Sequence, residues 1–192
     1  VDKCESEEEL ARKVNADGPA YLAEWTEANQ SYLVHISTDY VFDGRLPLYQ
    51  SYVESHAVHP VSAYGRTKAE GEQRIMAATD RCAILRTAWL CSTHGNNFLK
   101  TVFRITQSGK PMRIINEQFG SFTWSHTLAR QIRAVADARV QGLFHATSEG
   151  YCSWYELVVA YMEHTKCPYD ISPCTAAEYP TPATRPVNSI LE

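Results

Sequence analysis

The chain has 192 residues, 44% hydrophobic and 21% charged, with a formal net charge of −4. That length is enough for one large domain or two small ones with a real core, and the charge argues against nucleic acid as the default partner. No apolar run approaches the roughly 18 residues of a membrane span, and the acidic opening VDKCESEEEL lacks a signal-peptide apolar region.

The chain opens at Val1 and runs directly into a helix signal, the pattern expected of a stretch from inside a larger protein. Ser6 and Glu9 have capping-box spacing, which predicts a helix starting there and continuing through ELARKVNA. Gly18-Pro19 should interrupt it before AYLAEWTEANQ resumes. YLVHIS, residues 32–37, reads as a strand buried on both faces. A long loop over 38–62 precedes a helix over 63–79, and CAILRTAWL predicts a second buried strand. NNFLKTVFRITQSG should form an amphipathic helix closed by Gly109, followed by the short strand MRII. Helix HTLARQIRAVADA, strand GLFHAT and a helix capped by Ser153 come next. The tail EYPTPATRPVNSILE reads as proline-rich and irregular. Strands alternating with helices argue for an α/β protein with a largely parallel sheet, short on its N-terminal side.

The six cysteines form no CxxC pair, and a chain of this size needs no disulfide staples. They read as reduced thiols of a cytoplasmic protein, with a Cys167–Cys174 bridge left open. His56 and His59 have no companions that would complete a metal site and read as loop residues.

The segment SAYGRTKAEGE carries the chemistry. Tyr64 and Lys68 are four residues apart on a helix and so share one face. A tyrosine of ordinary pKa near 10 is a poor acid–base group at neutral pH, and an adjacent ammonium would lower that value. Thr38, at the end of the first strand, sits where α/β folds place active sites and could bond a substrate carbonyl. A Tyr/Lys pair alone also occurs on ordinary surface helices, so its company matters. HISTDYVFDG, YVESHAVHPVSAYGRTKAEGE and AILRTAWL follow one another in order.

These segments, with GNNFLKTVFR, NEQFGSFTWSHTLA, GLFHATSEGYCSWYEL and TPATRPVNSILE, resemble the extended short-chain dehydrogenase/reductases. Among these, the dTDP-4-dehydrorhamnose reductase family is the nearest likeness, and it covers essentially the whole chain. The resemblance implies the C-terminal part of a Rossmann-like doubly wound parallel sheet over 1–92, and a small α/β substrate-binding domain mainly over 93–192. It implies that Tyr64 donates a proton to the C4 keto group of a dTDP-sugar and that Thr38 bonds the reacting oxygen. Lys68 would lower the tyrosine pKa and bind the nicotinamide ribose of NADPH or NADH. Asn15 matches a helix asparagine that organises the site on the cofactor side. Tyr40 and Trp89 match sugar contacts, and Asn97 and Arg185 match nucleotide-side contacts. Core packing for Trp89, a solvent-facing Asn15 and a surface Arg185 are the competing readings. The resemblance also brings magnesium, although no cluster offers ligands for it. The family usually has proline where Phe122 stands here.

None of the nine glycines makes a GxGxxG turn after an N-terminal strand, so the pyrophosphate cradle of such enzymes has no counterpart here. By the resemblance, about a third of the enzyme, with its first four strands, would precede Val1. The fragment alone is then expected to be inactive, and the uncovered edge of YLVHIS to favour association with another chain, including as a homodimer. Two alternatives stand beside the reductase. One is a non-catalytic nucleotide-sugar-binding or regulatory relative, which the missing loop favours. The other is an epimerase or dehydratase of the same superfamily, although only one acid, Asp39, follows Thr38.

Overall fold

A computed structural model describes all 192 residues. The N-terminal helices run as α1 (Asp2–Ser6), α2 (Glu8–Arg12), a π-helical turn over Lys13–Asp17 and α3 (Gly18–Ala28). Two expectations change here. Ser6 is not an N-cap; helix begins at Asp2, and the Ser6 hydroxyl donates back to the Lys3 carbonyl. Gly18-Pro19 does not break the helix either. Pro19 lies in the first turn of α3, where its missing N–H is tolerated, and the π turn absorbs the irregularity.

Then follow β1 (Leu33–Thr38), a 3₁₀ turn (Asp39–Val41), α4 (Ala63–Ala78), β2 (Cys82–Thr87) and β3 (Leu90–Cys91). The second half contains α5 (Phe98–Thr106), β4 (Met112–Ile115), β5 (Phe119–Gly120), β6 (Thr123–Trp124), α6 (Ser125–Ala138) and β7 (Gly142–His145). It ends with β8 (Cys152–Ser153), α7 (Trp154–Thr165), β9 (Ile171–Cys174) and β10 (Asn188–Ser189).

The main sheet is parallel, in the order β1-β2-β7, with Leu33 opposite Cys82 through Thr38 opposite Thr87. Strand alternation sends neighbouring residues to opposite faces. Leu33 and Ile84 therefore pack with Ala23 and Ile75 under α3 and α4, while Val34, Ile36 and Leu85 pack with Leu128 under α6. Both faces are covered, which is why these strands read as continuous apolar runs. The outer edge of β1 has no strand partner.

A second core lies between α5, α7 and the parallel pair β4–β9, built on Leu99, Val102, Ile114, Val158 and Met162. Segment 125–145, with α6 and β7, returns to the main sheet. The tail is more ordered than its prolines imply. β10 pairs with β5, Leu191 bridges to Tyr52, and Ile190 and Leu191 are buried. The Asn188 amide donates to the carbonyls of Pro47 and Gln50, both at 2.9 Å, and so pins the long loop. All six cysteines are free thiols, and no helix is long and apolar enough to cross a membrane.

Candidate active site

β1 ends on Thr38, whose hydroxyl caps the following turn. It accepts from the Tyr40 N–H at 3.2 Å and donates to Asp39 Oδ1 at 3.0 Å. The neighbouring helix, α4, is capped by Ser62, which accepts from the Gly65 N–H at 3.1 Å. Gly65 lies directly against the Tyr40 carbonyl, where any Cβ would collide. That contact lets the first turn of α4 press onto the 3₁₀ turn. Tyr64 and Tyr40 consequently meet edge to face, with ring centroids 5.7 Å apart, and the Tyr64 phenol lies near Thr38.

Burial dominates the electrostatics. It pushes Tyr64 above its ordinary value, with the Asp39 charge adding to the rise and the Thr38 bond opposing it. Tyr40 is pushed up to about 12, mainly by burial and then by Asp39. Asp39 is itself pushed up to about 6 by complete burial, against hydrogen bonds that favour its charged form. Its Oδ2 has no hydrogen-bond partner.

Lys68 lies one helical turn beyond Tyr64 but does not act on it here. Its ammonium donates to the Ile36 carbonyl at 2.6 Å and stands 3.1 Å from His35 Nε2. Burial lowers Lys68, and His35 is lowered to about 4 by burial first and the Lys68 charge second, so the neutral ring is the acceptor. Lys68 makes no contact with Tyr64 here, and burial is the largest influence on the phenol.

Asn15 is not solvent-facing. Its side-chain amide donates to Thr67 Oγ1 at 3.0 Å, and its backbone carbonyl abuts Gly71, so the π turn braces α4 on either side of Lys68. Arg185 is not free on the surface: it forms a two-pronged pair with Asp2 at 3.2 and 3.0 Å and lies beside the Tyr40 hydroxyl. Trp89 holds a left-handed backbone, φ 45°, and stacks on Trp154. Asn97 belongs elsewhere. Its amide oxygen accepts from the Lys100 N–H at 3.1 Å and so caps α5, while its amide nitrogen donates to the Ser92 carbonyl at 2.6 Å in the preceding loop. One N–H and one oxygen lone pair of the amide make no bond within the chain.

Four partners around Lys68 were not foreseen: His35, Ser37, Glu72 and Arg86. His35 and Ser37 are polar positions two apart on β1, and Lys68 and Glu72 are four apart on α4. The two spacings bring His35 to Lys68 and Ser37 to Glu72 on one shared face. The signal was present in YLVHIS and TKAEGE as matching periodicities. Glu72 also takes Arg86 of β2 in a buried bidentate pair, Nε at 3.0 Å and Nη2 at 2.6 Å. No group of three or more His, Cys, Asp or Glu side chains converges that could hold a metal, so the magnesium brought by the resemblance does not fit these residues.

A parallel strand ending in threonine beside a helix with tyrosine and lysine one turn apart is the arrangement of a short-chain dehydrogenase/reductase. The RmlD substrate binding domain model matches residues 1–192, and the chain belongs to that family. It is 35% identical to the dTDP-4-dehydrorhamnose reductase of Aggregatibacter actinomycetemcomitans, with the whole chain covering 69% of that protein. The crystal structure of a dTDP-4-dehydrorhamnose reductase from Clostridium acetobutylicum superposes with a TM-score of 0.96 at 41% identity, and 68% of it is covered. A dTDP-4-dehydrorhamnose reductase from Bacillus anthracis, solved in complex with NADP, superposes at 0.95 with 33% identity and the same coverage. The chain thus spans about two thirds of the length of these relatives.

Proposed function

We propose that this chain carries the proton-donating and sugar-binding part of an NADPH-dependent reductase that converts dTDP-4-dehydro-L-rhamnose to dTDP-L-rhamnose. The observation that carries the reading is the cluster at the end of β1: Thr38 and Tyr64 near each other, Tyr40 and Arg185 beside them, and Lys68 one turn further on. The relatives named above supply the reaction, and the B. anthracis complex supplies the cofactor.

Bound NADPH would deliver hydride to C4. Thr38 and Tyr64 bond the C4 oxygen, and Tyr64 gives that oxygen its proton as the carbonyl becomes a hydroxyl. A phenol kept protonated by burial suits this step, because the developing alkoxide is more basic than phenolate. An ammonium has three N–H groups, and Lys68 spends two on Ile36 and His35, so one remains for a ribose hydroxyl. The nicotinamide-ribose end of the cofactor therefore fits these residues. The pyrophosphate end does not, because the 192 residues contain no glycine turn for it. Arg185, part-buried and fork-shaped, is suited to the diphosphate of the sugar nucleotide, where it would exchange Asp2 for phosphate. Trp89 and Tyr40 contact the deoxysugar, and Asn15 acts by bracing the catalytic helix. The six free thiols suit a reducing, cytoplasmic compartment.

Calorimetric titration of the 192-residue chain with dTDP-L-rhamnose, dTDP and NADPH in separate runs tests this reading. Binding of both dTDP ligands without measurable NADPH binding is expected. Tight NADPH binding overturns the account of the missing cradle, and failure of both dTDP ligands to bind overturns the sugar-side assignment.

A further inference from the structure

Trp89 stands two residues beyond the buried end of β2, yet its φ of 45° is the left-handed conformation that bulky residues avoid. Such a conformation persists only where the surroundings over-determine it. Three contacts do so. The Trp89 carbonyl accepts from the Thr123 N–H at 3.3 Å, in line with the pairing of β3 and β6. One face of the indole lies on Trp154, with centroids 3.6 Å apart and planes 8° from parallel. Gly120 approaches so closely that a Cβ there would stand 2.6 Å from Trp89 Cε2. The space for the ring thus exists only because residue 120 has no side chain.

The two indoles also belong to different cores. Trp89 packs against the cluster of Val41, Phe42 and Ala69 beside α4, and Trp154 packs against the cluster of Leu99 and Met162 between α5 and α7. Phe98 meets the Trp154 edge at 4.6 Å and fixes that ring in turn. Trp154 opens α7 behind a complete capping box, in which Ser153 and Glu156 bond each other's backbone N–H groups, so its position is set by a rigid helix start.

We infer that Trp154 and Gly120 are positioning residues that hold Trp89 flat in its strained conformation, so that sugar recognition by Trp89 depends on a joint between the two cores. This rests on the assignment of Trp89 as a sugar contact. Neither Trp154 nor Gly120 needs to touch the ligand. Removing the stack lets Trp89 relax to an ordinary φ and rotate away, which weakens the sugar contact and leaves the nucleotide contacts alone.

The test joins a spectroscopic readout to binding. Stacked indoles give an exciton couplet in far-ultraviolet circular dichroism, and calorimetry with dTDP-L-rhamnose and with dTDP isolates the contribution of the sugar. The wild-type chain should show the couplet. Trp154→Ala should abolish it and reduce dTDP-L-rhamnose affinity about fivefold, the scale of one aromatic stacking contact, with dTDP affinity unchanged. Trp154→Phe should lose the couplet but recover most of the sugar affinity, because a flat ring still supports Trp89. Gly120→Ala should weaken both couplet and sugar affinity without touching Trp154, and it serves if Trp154→Ala does not fold. A wild-type chain without the couplet, or a couplet untouched by Gly120→Ala, overturns the positioning claim. An unchanged ratio of dTDP-L-rhamnose to dTDP affinity in a folded Trp154→Ala chain overturns its link to the sugar. If the wild-type chain binds neither dTDP ligand, the functional assignment fails and the sugar link with it, while the couplet in Gly120→Ala still decides the geometry.

Discussion

Two cations face the same buried stretch between α4 and the sheet, and the fold treats them oppositely. Arg86 is matched charge for charge by Glu72, with side chains only 4% and 2% exposed, and Ser37 donates to the same carboxylate. Its guanidinium also lies 5.1 Å above the Phe42 ring. Lys68, one turn earlier on α4 than Glu72, has no carboxylate of its own. It is desolvated against a backbone carbonyl and a neutral imidazole, with Glu72 helping only through its charge. A cation as deeply buried and as fully neutralised as Arg86 holds the fold together. A cation with neutral partners and a spare N–H can take a ligand.

The largest expected effect lies on the structural side. Glu72→Gln leaves the Arg86 charge buried without a counter-charge, a class of change that costs about 3–5 kcal/mol. Urea denaturation should show a loss of that order, approaching the whole stability of an ordinary domain. A loss under about 1 kcal/mol would mean that water reaches Arg86 and that the pair is not a structural clamp.

The contrast was partly legible from sequence. The bounds of α4, the position of β1 and the Ser153 cap all follow from short-range rules, and they landed within a residue or so. The partners of Lys68 did not, because they depend on how β1 and α4 are registered against each other, which neither segment encodes alone. The same limit hid β10: a tail of prolines gives no strand signal until β5 provides a partner and Tyr52 receives Leu191. Asn97 shows the opposite case. Its local capping role in GNNFLK was readable from spacing, since an Asn before a helical run is an ordinary N-cap, but the resemblance suggested a nucleotide contact instead.

An intermediate effect comes from pH, where two buried groups work against each other. His35, ordinarily near 6.5, is held at about 4, so the unfolded chain binds more protons between those values. Its contribution is complete above 6.5 and is lost as pH falls toward 4. Asp39, ordinarily near 3.8, is held at about 6, so the folded chain binds more protons over that window. Its contribution is complete below 3.8 and is lost as pH rises toward 6. Over the shared interval the two slopes oppose each other, and their sum is nearly flat. Asp39→Asn should unmask the His35 slope, a fall of about 2 kcal/mol on acidification from pH 6.5 to 4. His35→Phe should unmask the reverse slope. Chemical denaturation across this range checks both, and identical curves in the wild type and the two variants would show that neither group is desolvated as described.

Asn97 carries the comparison to a group engaged by backbone partners. Asn97→Ala removes the cap of α5 and should cost about 1 kcal/mol. Calorimetry should find dTDP affinity unchanged, since the oxygen and the nitrogen of the amide each already bond within the chain. A fall in dTDP affinity larger than the fall in stability would return Asn97 to the nucleotide site.

The smallest expected change bears most directly on the comparison. Lys68→Met keeps the length of the side chain and removes a charge that burial disfavours. The Ile36 carbonyl and His35 Nε2 lose a donor, which costs about 1–3 kcal/mol if they remain dry, whereas relief from desolvating the ammonium acts in the opposite direction by a similar amount. Urea denaturation should therefore place Lys68→Met within about 1 kcal/mol of the wild type, against several for Glu72→Gln. If Lys68→Met proves as damaging as Glu72→Gln, Lys68 is a second structural clamp, and the spare N–H assigned to the ribose has no functional meaning.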